Sequence, residues 1–424
     1  MHLDPHPGAA RPLASHAPLG FAGFVLLVAA LMALNAVATD IMLPALPDIG
    51  RAMAVAAEND RQAVVTAYLL GFGLGQFAMG ALSDRYGRRP VLIGGLLVYC
   101  GAALFAAASA DFAALLAARA AQGVGAAAPR VIVTALVRDC YEGRRMAKVT
   151  SLAMMTFMAA PIVAPSLGQA LLLVGDWRMI FATLTVYGVA VLAVAALRLP
   201  ETLPPEWRRP LDPRALTESA AMVLRERQTV GYALASGIFF GALFGFINSA
   251  QQILAELYAL GPWFPVVFGA IAFCMAFSAF LNAMLVGRFG MRALSHIAVL
   301  AFTAISATLA GLALLGHPPL WLFLALLGGA MTLVGMVFSN FNALAMEPQA
   351  KVAGIASSFI GGATTLIGAS AGFVIGRAYD GTILPLATGY ALCGLATIAT
   401  LAATERGRLF RAPVQPELRA DLRR

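Results

Sequence analysis

The stretch GALSDRYGRRPVL, from Gly80 to Leu92, decides the fold of this 424-residue chain. It lies between two apolar runs, at about 62–83 and 90–110, each close to the length that an α-helix needs to cross the hydrocarbon core of a bilayer. One carboxylate, three arginines and two glycines share this short stretch. The pattern predicts a tight, highly charged turn between two membrane-spanning helices.

The composition extends this prediction to the whole chain. Hydrophobic residues make up 60% of it and charged residues only 12%, whereas soluble domains carry about 25% charged residues. A water-soluble core cannot use that much apolar surface, so the excess must face lipid. Twelve runs are long enough to span a bilayer: about 19–42, 62–83, 90–110, 112–137, 148–174, 178–197, 228–255, 262–287, 293–315, 318–346, 352–376 and 383–403.

The positions of the lysines and arginines predict the orientation. If the N-terminus is inside, the inner loops and tails hold 23 of the 29 cations, the outer loops hold four, and two lie within helices. Both termini are therefore expected in the cytoplasm, and the net charge of +8 reflects topology. Basic clusters are not interleaved with aromatic residues on a polar face, so we expect no nucleic-acid partner.

A proline-containing polar linker, 198–227, divides the spans six and six, and its prolines argue against a folded domain. The sequence GRFGMR, which ends at Arg292, echoes DRYGRR, which ends at Arg89, 203 residues earlier. This internal repeat predicts two related halves. The predicted divisions are an N-terminal tail, two bundles and a C-terminal tail, at 1–18, 19–197, 228–403 and 404–424.

Asp40 follows an uninterrupted apolar helix, in NAVATDIMLPALPDIG from Asn35 to Gly50. A charged side chain at the centre of a membrane helix costs ~2.5–3.5 kcal/mol on insertion scales. Asp40 therefore either faces a water-filled cavity or takes up a proton, and with Asn35 beside it we expect a proton-coupling site. The alternative is that Asp40 ends the helix at headgroup level, before Pro44.

Two arginines fall inside the fourth run. Arg119 lies near its outer end beside Gln122, and Arg130 follows eleven residues later, about three turns on and on the same face. A guanidinium inside a membrane needs an acceptor or a water-filled cavity, so we predict that Arg119, Gln122 and Arg130 serve coupling or substrate binding. Snorkelling of Arg119 to the outer surface is the alternative.

The fifth run contains MAAPIVAPSLGQ, from Met158 to Gln169. Its Pro161 and Pro165 remove backbone hydrogen bonds, and Gly168 lets a neighbouring helix approach closely. The pattern predicts a kinked helix in close contact with another span. An ordinary transmembrane kink is the alternative to an antiporter element.

The charged turn is also a candidate gate. Asp84 ends the second span, and Asp139 lies at the end of the fourth, so alternating charges at neighbouring helix ends can latch the cytoplasmic side. A purely topogenic loop is the alternative, but positive-inside signalling does not require an acid. The predicted gate residues are Gly80, Asp84, Arg85, Gly87, Arg88, Arg89, Arg138 and Asp139.

Amide side chains mark a candidate cavity: Asn248 and Gln252 in the seventh span and Asn340 in the tenth, among several phenylalanines. Such a cavity suits an apolar or amphipathic ligand, and helix packing is the alternative. The sequence has no Walker loop, HExxH, metal-ligand cysteine spacing or nucleophile elbow. We therefore expect no catalytic residue, cofactor or metal, and neither ATP drive nor hydrolysis.

The turn resembles, nearly residue for residue, the signature G-x-L-(a)-D-R-x-G-R-(K/R)-x-x-L of the major facilitator superfamily. Three further segments are similar to the Bcr/CflA (bicyclomycin/chloramphenicol resistance) branch of bacterial drug:proton antiporters. These segments are TDIMLPALPDI at 39–49, RAAQG…VRDCY at 119–141 and GDWRMIF…ETLPPE at 175–206. In addition, the spacing of the fifth-run prolines resembles the G-P-x-x-G-G antiporter motif, with Ala164 and Gln169 in place of glycines.

The resemblance implies an all-α membrane protein with twelve transmembrane helices in two pseudo-symmetric six-helix halves. It implies a monomer in the bacterial inner membrane that exchanges a small molecule for protons. Asp40 then corresponds to the first-helix acid of exchange, Arg119 to the fourth-helix arginine, and Asp84, Arg88 and Asp139 to the inner charge relay.

Arg130 departs from the branch, where small or polar residues are usual, and an extra cavity cation favours anionic or neutral substrates. The predicted function is proton-coupled efflux of small amphipathic or apolar drugs. The alternatives are a permease for a native metabolite and a substrate-sensing receptor on a carrier scaffold.

Overall fold

The computed structural model describes residues 19–208, 213–349 and 352–410. Within these ranges twelve helices are long and apolar enough to cross a membrane, and no strand occurs. The predicted N-terminal tail 1–18, the part 411–424 of the predicted C-terminal tail 404–424, residues 209–212 of the linker, and residues 350–351 lie outside the described residues. The spans, numbered α1 to α12, are Phe21–Ala52, Glu58–Tyr86, Arg88–Ala108, Phe112–Cys140, Gly143–Val174, Arg178–Arg198, Arg227–Leu257, Gly261–Phe289, Met291–Leu315, Leu320–Met346, Ala353–Arg377 and Leu384–Thr404.

The first span is longer than the sequence predicts. A regular helix ends at Asp40, a 3-10 turn follows at Leu43–Ala45, and a short helix continues over Leu46–Ala52. Prolines occupy the first turns of both short helices, where a missing N–H costs little. They redirect the chain without ending the span, so Asp40 lies inside a span of 32 residues and not at its end.

Within its described residues the linker holds a 3-10 turn, Pro205–Trp207, and one α-helix, Pro213–Arg225. The helix Pro213–Arg225 packs against α7 and α11 and buries Val223. Its first residue is a proline, which favours the first turn of a helix because its φ angle is already fixed near the helical value.

The internal repeat is visible in the backbone. Gly87, between α2 and α3, has φ 103° and ψ 160°, and Gly290, between α8 and α9, has φ 76° and ψ 158°. This left-handed region is open to glycine and disfavoured for other residues. Both halves therefore turn from their second to their third span in the same way, at the position that the echoed sequence predicts.

Within each half the spans pack in corresponding pairs. In the N-terminal half α2 and α3 pack on α4, and α1 packs on α5; in the C-terminal half α8 and α9 pack on α10, and α7 packs on α11 and α12. The two halves meet along α2 with α11 and along α5 with α8.

The order of the spans defines two ends of the bundle. We call the end that carries Phe21, Arg198 and Thr404 the terminal end, and the opposite end the distal end. Because consecutive spans run in opposite directions, the α2–α3 and α8–α9 turns both lie at the terminal end.

Candidate functional site

Arg119 is fully buried between three spans of the N-terminal half. Its Nε donates to the Val64 carbonyl of α2 at 3.1 Å, one terminal nitrogen donates to the Ala38 carbonyl of α1 at 3.1 Å, and the other donates to Gln122 Oε1 at 2.6 Å. Its guanidinium carbon lies 4.4 Å from the centre of the Tyr68 ring. Arg119 thus ties α1 and α2 to α4 through neutral acceptors, and it does not reach the outer surface.

Asp40 is also buried, at 4% exposure, and its Oδ1 atom has no hydrogen-bond partner within the described part of the chain. The polar groups that precede Asp40 on α1 bond elsewhere. Tyr68 donates its hydroxyl to Asn35 Oδ1 at 3.0 Å, and Thr39 donates to the Asn35 carbonyl at 3.0 Å. The side-chain oxygen of Asn35 is therefore engaged, whereas the buried Oδ1 of Asp40 keeps free bonding capacity.

The α5 span presses against the α1 break directly beside Asp40. A side-chain carbon added at Gly168 would overlap the carbonyl oxygen of Ile41, so only glycine permits this approach. Pro161 and Pro165 both lie inside the α5 helix. The span whose prolines and glycine the sequence singles out therefore forms the wall next to the α1 break.

Arg130 is partly buried on α4, and none of the described residues forms a hydrogen bond or an ion pair with it. It lies eleven residues beyond Arg119, which corresponds to about 16 Å along a helix axis. Arg119 and Arg130 therefore occupy separate sites: the first is bonded within the protein, and the second keeps its donors available.

The charged turn at the terminal end forms one cluster around Arg88. Arg88 donates to Asp84 at 2.6 Å, to Ser83 Oγ at 2.7 Å and to Asp139 of α4 at 3.3 Å. Arg138 lies 4.0 Å from Asp139. The cluster joins α2, α3 and α4, which all belong to the N-terminal half.

The remaining residues of the predicted gate surround this cluster. Arg89 donates to the Ala196 carbonyl of α6 at 2.8 Å, and Arg85 is exposed. Gly80 faces α11, because a side-chain carbon there would lie 2.5 Å from Ser358 Oγ.

Glu201, just beyond α6, is a site residue that the sequence patterns do not single out. Its carboxylate accepts the backbone N–H groups of Arg88 at 2.9 Å, Arg89 at 3.3 Å, Thr202 at 3.0 Å and Leu203 at 2.9 Å. An acid is favourable at the N-terminus of a helix such as α3, and Gly87 leaves room for it. The signal that could have identified Glu201 is its place as the first residue of the segment ETLPPE.

The C-terminal half carries a matching cluster around Arg292. Arg292 donates to Glu405 at 3.1 Å and to Glu347 at 3.3 Å. Glu405 also accepts the Tyr232 hydroxyl at 2.6 Å, and that hydroxyl is 3.2 Å from His296 Nε2. The echo GRFGMR lacks an acid, but carboxylates that follow the ends of α10 and α12 supply the charge.

The distal end holds polar contacts between the two halves. Arg61, at the start of α2, donates to Glu256 at 2.7 Å and to Gln251 at 3.1 Å. Gln252 donates to Asn59 at 2.7 Å and also accepts a hydrogen bond from Gln62. Further contacts at this end are Asp60 with Arg377 at 3.3 Å, Asn59 with the Arg377 carbonyl at 2.9 Å and the Tyr379 carbonyl at 2.7 Å, and Thr66 with Asn248 at 3.4 Å. We call all of these contacts between the two halves the distal lattice.

The amide residues predicted to line a cavity fall into two places. Asn248 and Gln252 belong to the distal lattice, where α7 ends in a π-helical turn, Gln251–Leu257. Asn340 donates to Asn282 at 2.8 Å and so joins α10 to α8. Apart from Gln252, the side chains of the distal lattice at 59–62 and 251–256 have no sequence signal beyond their polarity, because their pairing depends on how the halves meet.

The family assignment rests on a match over most of the chain. The Major Facilitator Superfamily matches residues 25–373. The chain belongs to this superfamily. Its members are transporters and not enzymes, so the twelve-span carrier that the sequence predicts is confirmed.

Similar chains of this superfamily come from several bacteria. An "Uncharacterized MFS-type transporter YdgK" of Bacillus subtilis is 33% identical over 80% of this chain and 84% of its own. A "Bicyclomycin resistance protein homolog" of Haemophilus influenzae is 29% identical over 86% of this chain and 91% of its own length. The "Multidrug resistance protein D" of Escherichia coli is 29% identical over 80% of this chain and 84% of its own length. The last two names agree with the Bcr/CflA branch that the sequence resembles.

Solved structures show the same fold. The xylose transporter XylE from E. coli, in a partially occluded inward open conformation, superposes with a TM-score of 0.70 at 14% identity, over 93% of this major facilitator and 99% of that chain. A bacterial homologue of the human lysosomal transporter Spinster superposes with a TM-score of 0.67 at 15% identity, over 93% of this chain and 97% of that chain.

Proposed function

We propose that this major facilitator is a monomeric antiporter of the bacterial inner membrane, with both termini in the cytoplasm, that expels small amphipathic or apolar compounds in exchange for protons. The observation that carries the proposal is the buried carboxyl of Asp40, whose Oδ1 atom has no partner among the described residues. An unpaired buried charge is costly, so the protonation of such a group responds to changes in its surroundings.

Alternating access requires that the two halves separate at one end at a time. Both ion pairs that cross between the halves in the described residues, Arg61–Glu256 and Asp60–Arg377, lie at the distal end. The charge clusters around Arg88 and Arg292 each stay within one half. This pattern supports a conformation closed toward the outside, with the terminal clusters released from each other.

The proposed cycle uses this asymmetry. Asp40 takes a proton from the outside and the substrate leaves. The halves then rock, the distal lattice forms and the terminal end opens. Substrate from the cytoplasm displaces the proton from Asp40, and the halves rock back. The excess of Lys and Arg in the terminal-end loops supports the cytoplasmic orientation of that end.

The test replaces the carboxyl without changing its shape. Everted membrane vesicles from a pump-deficient bacterium expressing the chain carry an imposed pH gradient, and a pH-sensitive dye reports proton release after compounds are added. The panel includes bicyclomycin, since a relative is named for resistance to it. We expect Asp40→Asn to abolish compound-dependent proton release while the amount of protein in the membrane is unchanged.

Asp48→Asn is the matched control. Asp48 lies in the same span, but its side chain is 41% exposed and paired with Arg51, so its loss should leave proton exchange intact. Full activity of Asp40→Asn, or equal losses in both variants, would remove Asp40 from the mechanism.

A further inference from the structure

Arg130 points away from the periphery of its own half. On α4, Gly125 and Ala128 pack against Gly95 of α3. At 3.6 residues per turn, Arg130 lies about 170° around the helix from the mean direction of those two contacts. The α3 span packs on α2, α4 and α6, all in the N-terminal half. Arg130 therefore lies on the side of α4 that faces away from α3, within about 20° of the direction of Arg119.

The charge balance within the spans is positive. Asp40, Arg119 and Arg130 are the charged residues placed deep inside the N-terminal spans, so the sum is −1 + 2 = +1 with Asp40 ionised and +2 with Asp40 protonated. Arg119 is satisfied by two carbonyls and an amide. Of the two arginines, Arg130 alone has no hydrogen bond or ion pair with any of the described residues.

A guanidinium that is partly buried and unpaired has a specific chemical complement. Its planar fork matches a carboxylate, sulfonate or phosphate oxygen pair, and hydrogen bonds between two charged groups are about twice as strong as neutral ones. A cationic compound at the same place would meet repulsion from a net positive site. The unpaired arginine therefore favours an anionic head on the substrate.

The equivalent spans of the other half offer an apolar surface. The first and fourth spans of the C-terminal half, α7 and α10, correspond by the repeat to the spans that carry Asp40 and Arg130. They hold Phe240 and Phe338, both partly buried, with ring centroids 4.3 Å apart. An aromatic pair suits the apolar body of an amphipathic ligand.

We propose that Arg130 is the anion-binding group of the transport site, and that the substrates are amphipathic organic anions with a carboxylate or similar head. This inference rests on the proposed transport function and names its substrate class. The anion site lies about 16 Å along α4 from Arg119, whose partner Ala38 is two residues from Asp40. A bound anion therefore does not replace the proton on Asp40 by direct contact, and coupling passes through the protein.

The test is a binding measurement on the full chain in detergent, which does not require proton coupling. Three fluorescent probes of similar size are used: dansyl-phenylalanine, which carries a carboxylate, its neutral methyl ester, and a cationic dansyl-alkylamine. We expect the wild-type chain to bind the carboxylate at least about tenfold more tightly than the ester, since a charge-assisted pair is lost in the ester. The cationic probe should bind most weakly.

Variants then assign the preference to one residue. Arg130→Gln should reduce carboxylate affinity about tenfold, to that of the ester, and leave ester affinity unchanged, which also shows that the variant is folded. Arg130→Lys should keep most of the preference for the carboxylate. Arg198→Gln, at an exposed arginine, should change nothing.

Three outcomes would overturn the inference: no binding of the carboxylate probe, equal or tighter binding of the ester or the amine by the wild-type chain, or equal weakening of all probes by Arg130→Gln. Failure of the proposed antiport would instead show as normal anion binding without compound-driven proton release. The two failures are therefore distinguishable.

Discussion

The ion pair between Arg61 and Glu256 gives a direct test of how the distal end closes. The Arg61 side chain is 7% exposed and that of Glu256 is 39% exposed, with 2.7 Å between Nη2 and Oε1. Exposed pairs contribute ~0.2–1 kcal/mol, and breaking fully buried pairs costs ~3–5 kcal/mol. Glu256→Gln keeps a neutral acceptor next to Arg61, so we expect a loss of about 1 to 2 kcal/mol from the closed state.

A change of this size is measurable as a population shift. A difference of about 1 to 2 kcal/mol changes the ratio of closed to open molecules by about 5- to 30-fold. Spin labels at Ala56 and Trp263, both exposed residues near the distal end of different halves, report the separation in a chain whose four native cysteines are replaced. Glu256→Gln should increase the fraction of molecules with the longer label distance.

The matched control removes the same charge at the same end without touching the contact between halves. Asp48 pairs with Arg51 inside a single short helix, so Asp48→Asn should leave the distance distribution as it is in the parent. An unchanged distribution in Glu256→Gln, or an equal shift in both variants, would show that the Arg61–Glu256 pair does not hold the distal end closed.

Two stability predictions address the packing around the site. Gly168→Ala places a carbon against the Ile41 carbonyl and should lower the free energy of unfolding by ~1–3 kcal/mol. The control Gly94→Ala, whose new carbon meets nothing within 4 Å, should be neutral or stabilising because alanine loses less backbone entropy in a helix. Thermal unfolding in detergent measures both variants, and equal effects would contradict the close α1–α5 packing. Glu201→Gln replaces the carboxylate that accepts four backbone N–H groups, and it should lower the free energy of unfolding by about 1 to 2 kcal/mol. The control is Glu206→Gln, at an exposed position, measured by the same method. Matching unfolding midpoints for the two variants would refute a special role of Glu201.

The fold is predictable from the sequence because its determinants are local. Hydrophobic length, the charged turns and the proline-containing linker each act within a few residues, and a bilayer leaves helices as the form in which an apolar segment satisfies its own backbone. The first span is the main exception. In the sequence Pro44 indicates a helix end, whereas in the structure it lies in the first turn of a short 3-10 helix and the span continues to Ala52.

The site is only partly predictable because its contacts depend on tertiary structure. Asp40 and Arg119 stand out by the cost of a charge at membrane depth, which sequence alone reveals. No local pattern indicates that Arg119 bonds carbonyls of two other spans, or that Arg61 and Arg292 are buried in charge clusters. Positive-inside counting treats every cation alike, and it cannot separate a topogenic arginine from one that pairs across a helix interface.

The bonding of Arg119 suggests how a proton on Asp40 and the distal lattice are connected. Arg119 holds the carbonyl of Ala38, two residues before Asp40, and the carbonyl of Val64, two residues after Gln62. Gln62 in turn bonds Gln252 of the other half. A shift of α1 when Asp40 gains or loses its proton would therefore be transmitted through one rigid guanidinium to the start of α2. Because coupling requires that the proton bind the two conformations with different affinity, a buried arginine bonded to neutral acceptors is well placed here: it orients two helix segments, and it leaves the carboxyl free to titrate.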